Sequence, residues 1–122
     1  MKYMKIHIKK DFGNSGEDIA VQYLEKQGHV ILKRNFYCKQ GEIDIITKDK
    51  NEIVFIEVKS RSSTEYGLPS EAVTKQKIQH LYKTARYFLY KNKMLNEFIR
   101  FDVMEILIKR GKFNINHIKQ II

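Results

Sequence analysis

Apolar and polar positions along this chain alternate with two periods. From about Ser15 to Gln27 the period is helical. Ile19, Ala20, Val21, Tyr23 and Leu24 cover one broad face, and Asp18, Gln22, Glu25 and Lys26 cover the other. Asn14 or Ser15 can cap this helix, and Gly28 can end it. A longer helix is predicted from about Ser70 to Lys91, where Thr74, Ile78, Leu81, Tyr82, Ala85, Phe88 and Leu89 form one stripe. The segments 29–37, 42–48 and 52–60 read as strands, the last two joined by the short polar turn Asp49–Asn51. Residues 62–69 hold Ser62, Ser63, Gly67 and Pro69 and read as a loop. Two more strands are predicted at 98–109 and 112–118. The order α-β-β-β-α-β-β, with an early antiparallel meander, predicts an α/β sandwich around a mixed sheet.

Composition narrows this to one folded domain. The 122 residues are 43% hydrophobic and 30% charged, which excludes a disordered chain. Residues 13–122 are read as that domain, and 1–12 as a poorly ordered N-terminal segment. One cysteine, Cys38, excludes an internal disulfide and a cysteine-based zinc site. No apolar run approaches the ~20 residues of a membrane span. The start, MKYMKIHIKK, lacks the apolar core of a secretory signal. A cytoplasmic protein with no membrane partner is expected.

Charge adds a partner class. The net charge is +9 and the pI about 9.6, an excess that favours a polyanion, nucleic acid before membrane. It is unevenly spread. Residues 1–40 carry eight basic and four acidic side chains, and 62–122 carry eleven and five. The stretch 41–61 reverses the balance, with four basic and five acidic. Nucleic-acid enzymes use lysine and arginine on phosphates and carboxylates on a divalent metal.

The acidic centre contains GEID at 41–44 and EVK at 57–59. By strand alternation Ile53, Phe55, Glu57 and Lys59 share a face, opposite Val54, Ile56 and Val58. Glu42, Asp44 and Ile46 share a face opposite Ile43 and Ile45. A turn pairing Asp49 with Glu52 sets Asp44 opposite Glu57, and a slip of two sets it opposite Lys59. A slip of one separates Asp44 from Glu57. Directly opposed carboxylates repel unless a lysine or a metal lies between them. Glu17 falls on the core side of the first helix, either as the acid of a capping box with Asn14 or as a further group aimed at the site.

The acid followed by D…ExK on adjacent strands resembles the restriction-endonuclease-like, or PD-(D/E)xK, superfamily. GxxGEDIA at 13–20, RN at 34–35, GEID at 41–44, VFIEVKSR at 54–61, YGLPSEAV at 66–73, Lys77 and RFDV at 100–103 look like the YraN-type family. That family is predicted to be nuclease-like and is distantly similar to Holliday junction resolvases. The resemblance runs from about Gly13 to the C-terminus. Ile43 stands where the superfamily's PD proline would be.

The resemblance implies a restriction-endonuclease-like fold and a Mg²⁺- or Mn²⁺-dependent endonuclease acting on DNA, with branched or single-stranded DNA as candidate substrates. Asp44, Glu57 and the Val58 carbonyl would hold the metal. Lys59 would orient or deprotonate the attacking water, and Glu17 would reach the site from its helix. Glu42 is a candidate supporting acid. Arg34, Arg61, Lys75 and Lys77 are candidate phosphate contacts, and Tyr66 a candidate base contact. Arg100 and Asp102 share a strand face and are expected to form a structural ion pair. A symmetric dimer would suit cleavage of two strands. The competing reading is a non-catalytic nucleic-acid-binding module that keeps the nuclease fold.

Overall fold

A computed structural model describes residues 4–5, 16–61 and 74–122. The elements are β1 (Met4–Lys5), α1 (Gly16–Lys26), β2 (Val30–Cys38), β3 (Gly41–Asp49), β4 (Glu52–Arg61), α2 (Lys75–Lys91), β5 (Phe98–Lys109) and β6 (Lys112–Ile118). They build one mixed sheet in the order β1-β6-β5-β4-β3-β2. β2, β3 and β4 form an antiparallel meander, and β4 and β5 run parallel. A parallel neighbour needs a crossover, and α2 supplies it. The predicted α/β order holds, with the two-residue β1 added against β6.

One helix covers each face of the sheet. Ile19, Ala20 and Leu24 of α1 pack on Ile45, Val54, Ile56, Met104 and Ile106. Leu81, Ala85, Phe88 and Leu89 of α2 pack on Ile46, Ile53, Phe55 and Phe101. The alternation read for β4 is therefore correct: Ile53 and Phe55 lie on the α2 side, Val54 and Ile56 on the α1 side.

Three details differ from the sequence pattern. Gln22, assigned to the polar face of α1, is buried, because α1 contacts β2, β3, β4 and β5 together and more than half its circumference is covered. Thr74 is the N-cap of α2 in extended conformation, its Oγ1 accepting a hydrogen bond from Lys77 N at 3.2 Å, so it is not part of the core stripe. Along that stripe Thr84 is buried and Tyr82 is half exposed, although the Tyr82 ring still tilts against Phe101. The predicted start of this helix at Ser70 lies outside the described residues.

The most consequential departure is in β2 and β3. Arg34 pairs with Ile45 and Phe36 with Ile43, which sets Asn35 opposite Asp44. Arg34 and Ile45 face α1, yet Phe36 and Ile43 pack with the α2 core. The two strands thus change faces together at Asn35 and Asp44. Asn35 has φ 52°, a left-handed conformation that asparagine tolerates better than most residues. Ile43 consequently sits on the α2 side, not opposite Asp44 as simple alternation predicts.

Candidate active site

The hairpin register is the one that pairs Asp49 with Glu52, and the β3–β4 ladder ends at Ile45 and Ile56. Beyond that point the strands part. Val58 N, free of the ladder, donates to Asp44 Oδ2 at 2.8 Å. A cavity of about 190 Å³ opens between the parted strands and α2. Asp44, Glu57, Glu42, Lys77, His80 and Thr84 line it, with Ile43, Ile56 and Leu81 as its apolar walls. Asp44 and Glu57 thus reach one cavity, as the chosen register requires.

Glu57 is the centre of a charged cluster. Its Oε1 takes Lys59 Nζ at 3.0 Å and also Lys77 Nζ. Its Oε2 is buried and has no hydrogen-bond partner among the described residues. A buried oxygen of this kind costs about 1–3 kcal/mol, and more when charged. Burial pushes the Asp44 carboxyl above its usual range, and the carboxylates of Glu57, Glu17 and Glu42 push it further against the Val58 N–H. Burial would lower the Lys77 amine, but the Glu57 carboxylate outweighs it and holds the amine above its usual value. The cavity therefore holds a disfavoured Asp44 carboxylate and a Glu57 that is bonded by two lysines on one oxygen and bare on the other.

The remaining candidates take varied positions. Gly16 brings the first turn of α1 against the end of β4, since a Cβ there would overlap the Ser60 side chain. This places Glu17 near enough for its charge to act on Asp44. Glu17 Oε1 itself accepts from Arg34 Nε at 2.9 Å and Asn35 Nδ2 at 3.1 Å, and Arg34 Nη2 donates to Asp18 at 2.6 Å. Arg34 therefore ties α1 to β2, with two carboxylates on its guanidinium. Asn14, the capping partner expected for Glu17, lies outside the described residues, as does Tyr66. Arg61 ends β4, and Lys75 is exposed at the start of α2. Glu42 is exposed at the cavity rim.

Sequence reasoning passed over three residues here. His80 and Thr84 enter the cavity wall from α2, and Glu105 is buried on β5 directly beside Lys59 in the parallel ladder. Glu105 carried the same signal as Glu57, a lone acid in an apolar strand. His80 and Thr84 had no such signal, because a helix face becomes a wall only when the sheet opposite is known.

The comparisons agree with the chain's own pattern. The model of "Uncharacterised protein family UPF0102" matches residues 16–106, a span that begins with α1 and ends in β5. The chain belongs to the UPF0102 family. It is 50% identical over 113 residues to a UPF0102 protein of Caldicellulosiruptor saccharolyticus, covering 91% of this chain and 96% of that protein. It is 54% identical over 103 residues to one of Clostridium botulinum strain Hall, covering 84% of each. The family match spans all of the cavity-lining residues and both helices. Among the described residues no helix is long and apolar enough to cross a membrane.

Proposed function

We propose that this UPF0102 protein is a metal-dependent nuclease of the restriction-endonuclease-like superfamily that hydrolyses phosphodiester bonds in DNA. The observation that carries the reading is the buried, unpartnered Oε2 of Glu57, in one cavity with an Asp44 carboxyl raised by burial and neighbouring acids. Both conditions are relieved by a hard cation.

Among the described residues no three His, Cys, Asp or Glu side chains cluster as a complete metal cage. Mg²⁺ does not require one, because it is commonly held by one or two carboxylates with waters and substrate phosphate. The donor chemistry fits: Asp44, Glu57 and the Val58 carbonyl would hold Mg²⁺ or Mn²⁺. Such an ion supplies a water nucleophile at neutral pH and charge relief on phosphate.

The chain's own groups have separate tasks in this reading. Lys59 would orient the attacking water and stabilise the negative charge developing on the phosphoryl oxygens. Lys77, on the same carboxylate from the other side, positions Glu57 and offers a point charge to a phosphate oxygen. The Val58 N–H fixes Asp44 in the cavity. Asn35 and Arg34 hold Glu17, which adds negative potential at Asp44.

The occupation of Glu57 Oε1 by two lysines favours a second reading, a nucleic-acid-binding module without catalysis. One experiment separates them. Purified protein is incubated with linear, flapped, single-stranded and four-way-junction DNA in Mg²⁺, Mn²⁺ or EDTA. Cleavage is expected with metal and not with EDTA, lost in Glu57→Ala and Lys59→Ala while DNA binding persists. Binding without cleavage of any substrate would leave the second reading standing.

A further inference from the structure

α2 carries five cations and no acid in KQKIQHLYKTARYFLYK. Part of that charge is used at the cavity, by Lys77 on Glu57. Of the rest, Lys83 and Arg86 lie along one exposed stripe. His80, Lys83, Tyr87 and Tyr90 follow one another at intervals of three and four residues, with Arg86 beside them. Tyr87 is 39% exposed and Tyr90 69% exposed. Lys83, Arg86, Tyr87 and Tyr90, together with Gln40 and Leu95, line an open groove of about 510 Å³. Lys83 and Arg86 form no ion pair with another described residue. Lys91 lies 6.0 Å from the Tyr87 ring centroid, adding a further cation beside that face.

This groove borders the acidic cavity, though the two share no lining residue. His80 lines the cavity, and its Nδ1 is 3.3 Å from the Gln40 carbonyl oxygen at the groove's edge. Gly41 links Gln40 of the groove to Glu42 of the cavity, and a Cβ there would come to 3.0 Å of Thr84 Oγ1. The absence of that side chain lets the β2–β3 turn close on α2 and form a shared wall. From Lys77 to Tyr90 the helix rises roughly 20 Å.

We infer that this stripe is a binding track for single-stranded nucleic acid, which leads the strand into the Asp44–Glu57 cavity. Lys83 and Arg86 would hold successive phosphates, and Tyr87 and Tyr90 would offer ring faces to unpaired bases. Cations interleaved with exposed aromatic rings suit a single strand better than a duplex, whose bases keep their faces stacked internally. The direction of the track rests on the reading of the cavity as a phosphodiester site. The binding itself does not.

The test uses the full chain in EDTA, so that no cleavage is needed. Fluorescence anisotropy is measured with labelled oligothymidylate and with a blunt duplex of equal length, across a salt series. The single strand is expected to bind more tightly and to quench tyrosine fluorescence, which is readable because the chain has no tryptophan. Tyr90→Ala should weaken single-strand binding roughly tenfold and leave the duplex nearly unchanged, while Tyr90→Phe retains affinity. Arg86→Gln should weaken both and reduce the salt slope by about one counterion. Tyr87 tilts against Phe36, so Tyr90 is the safer position for judging the track apart from folding.

Wild-type affinity in both Tyr90→Ala and Arg86→Gln would overturn the inference. So would binding to anionic phospholipid vesicles with none to oligothymidylate. With Mn²⁺ present, cleavage that survives unchanged in Tyr90→Ala would leave the nuclease reading intact and remove the track. Tyrosine-dependent binding with no cleavage would do the reverse.

Discussion

The sheet buries acids at two places, and their surroundings are opposite in kind. At the hairpin-turn end, Asp102 receives Arg100 Nε at 3.0 Å, His117 Nε2 lies 2.7 Å away, and Gln120 N donates at 3.0 Å. Arg100 also reaches Asp49 and Glu52, each at 3.1 Å, and His29 is hydrogen-bonded to Thr47 at 2.7 Å. Burial would raise Asp102, but the bonds from His117, Arg100 and the backbone outweigh it and hold the carboxyl below its usual range. At the other end, burial raises Asp44 and three further carboxylates raise it more. The same low-dielectric sheet therefore holds one cluster whose buried Asp102 is bonded by an arginine, a histidine and the backbone, and one in which Asp44 accepts from a backbone N–H and Glu57, though it holds two lysines, keeps Oε2 unpartnered among the described residues. Buried charge alone does not single out a candidate site; a buried carboxylate left partly unbonded is the more telling sign.

Removing Asp102 should give the largest effect. Asp102→Ala leaves Arg100 buried beside an empty place and should cost about 3–5 kcal/mol in denaturant unfolding. A loss below 1 kcal/mol would show that this network does not stabilise the fold. Next in size is cation binding. Mn²⁺ or Mg²⁺ at a hundredfold excess over its dissociation constant should stabilise the wild type by about 2.7 kcal/mol, read as a rise in melting temperature. The rise should vanish in Glu57→Gln and persist in a variant of the other cluster such as His117→Gln.

Asp44→Asn should then stabilise the metal-free protein, by less than either effect above, since it keeps an acceptor for Val58 N–H and removes a charge that burial and neighbouring acids disfavour. A destabilised Asp44→Asn would place Asp44 with the compensated acids. The pH dependence should give the smallest signal and separate both clusters. Asp44 is raised above its ordinary 3.8, so the metal-free fold gains stability as pH falls toward 3.8 and loses it as pH rises through the folded value. Burial lowers His29 below its ordinary 6.5, so its contribution is present above 6.5 and is lost as pH falls through the folded value. Asp102, being lowered, loses its share below 3.8. A stability profile in EDTA should show these slopes, and Asp44→Asn should remove the Asp44 part while leaving the His29 part.

Much of the site was legible in the strands. Alternation placed Glu57 and Lys59 on one face, but the polar turn left three registers open, and the structure takes the one that pairs Asp49 with Glu52. The ion pair of Arg100 with Asp102 was equally plain from their spacing on β5. Its extension to His29, Asp49 and His117 was not, because those residues lie on three other segments and meet only across the sheet. The face change at Asn35 and Asp44 was also hidden. It depends on a left-handed residue that a strand-forming sequence does not announce, and it falls where the separate β3–β4 ladder ends and those two strands part.

The sequence by itself determined the order of the two helices and five long strands, the alternation along β4 and the basic excess around the acidic strands. Those follow from local rules: side chains alternate on strands, recur at helical spacing, and carry their charge wherever they sit. The tertiary structure decided which acids are compensated. Lys77 meets Glu57 because α2 crosses the sheet where β3 and β4 part, and Arg100 meets Asp49 because β5 joins β4 in parallel at its other end. Compensation is a sum over neighbours distant in sequence, and only the folded chain assembles those neighbours.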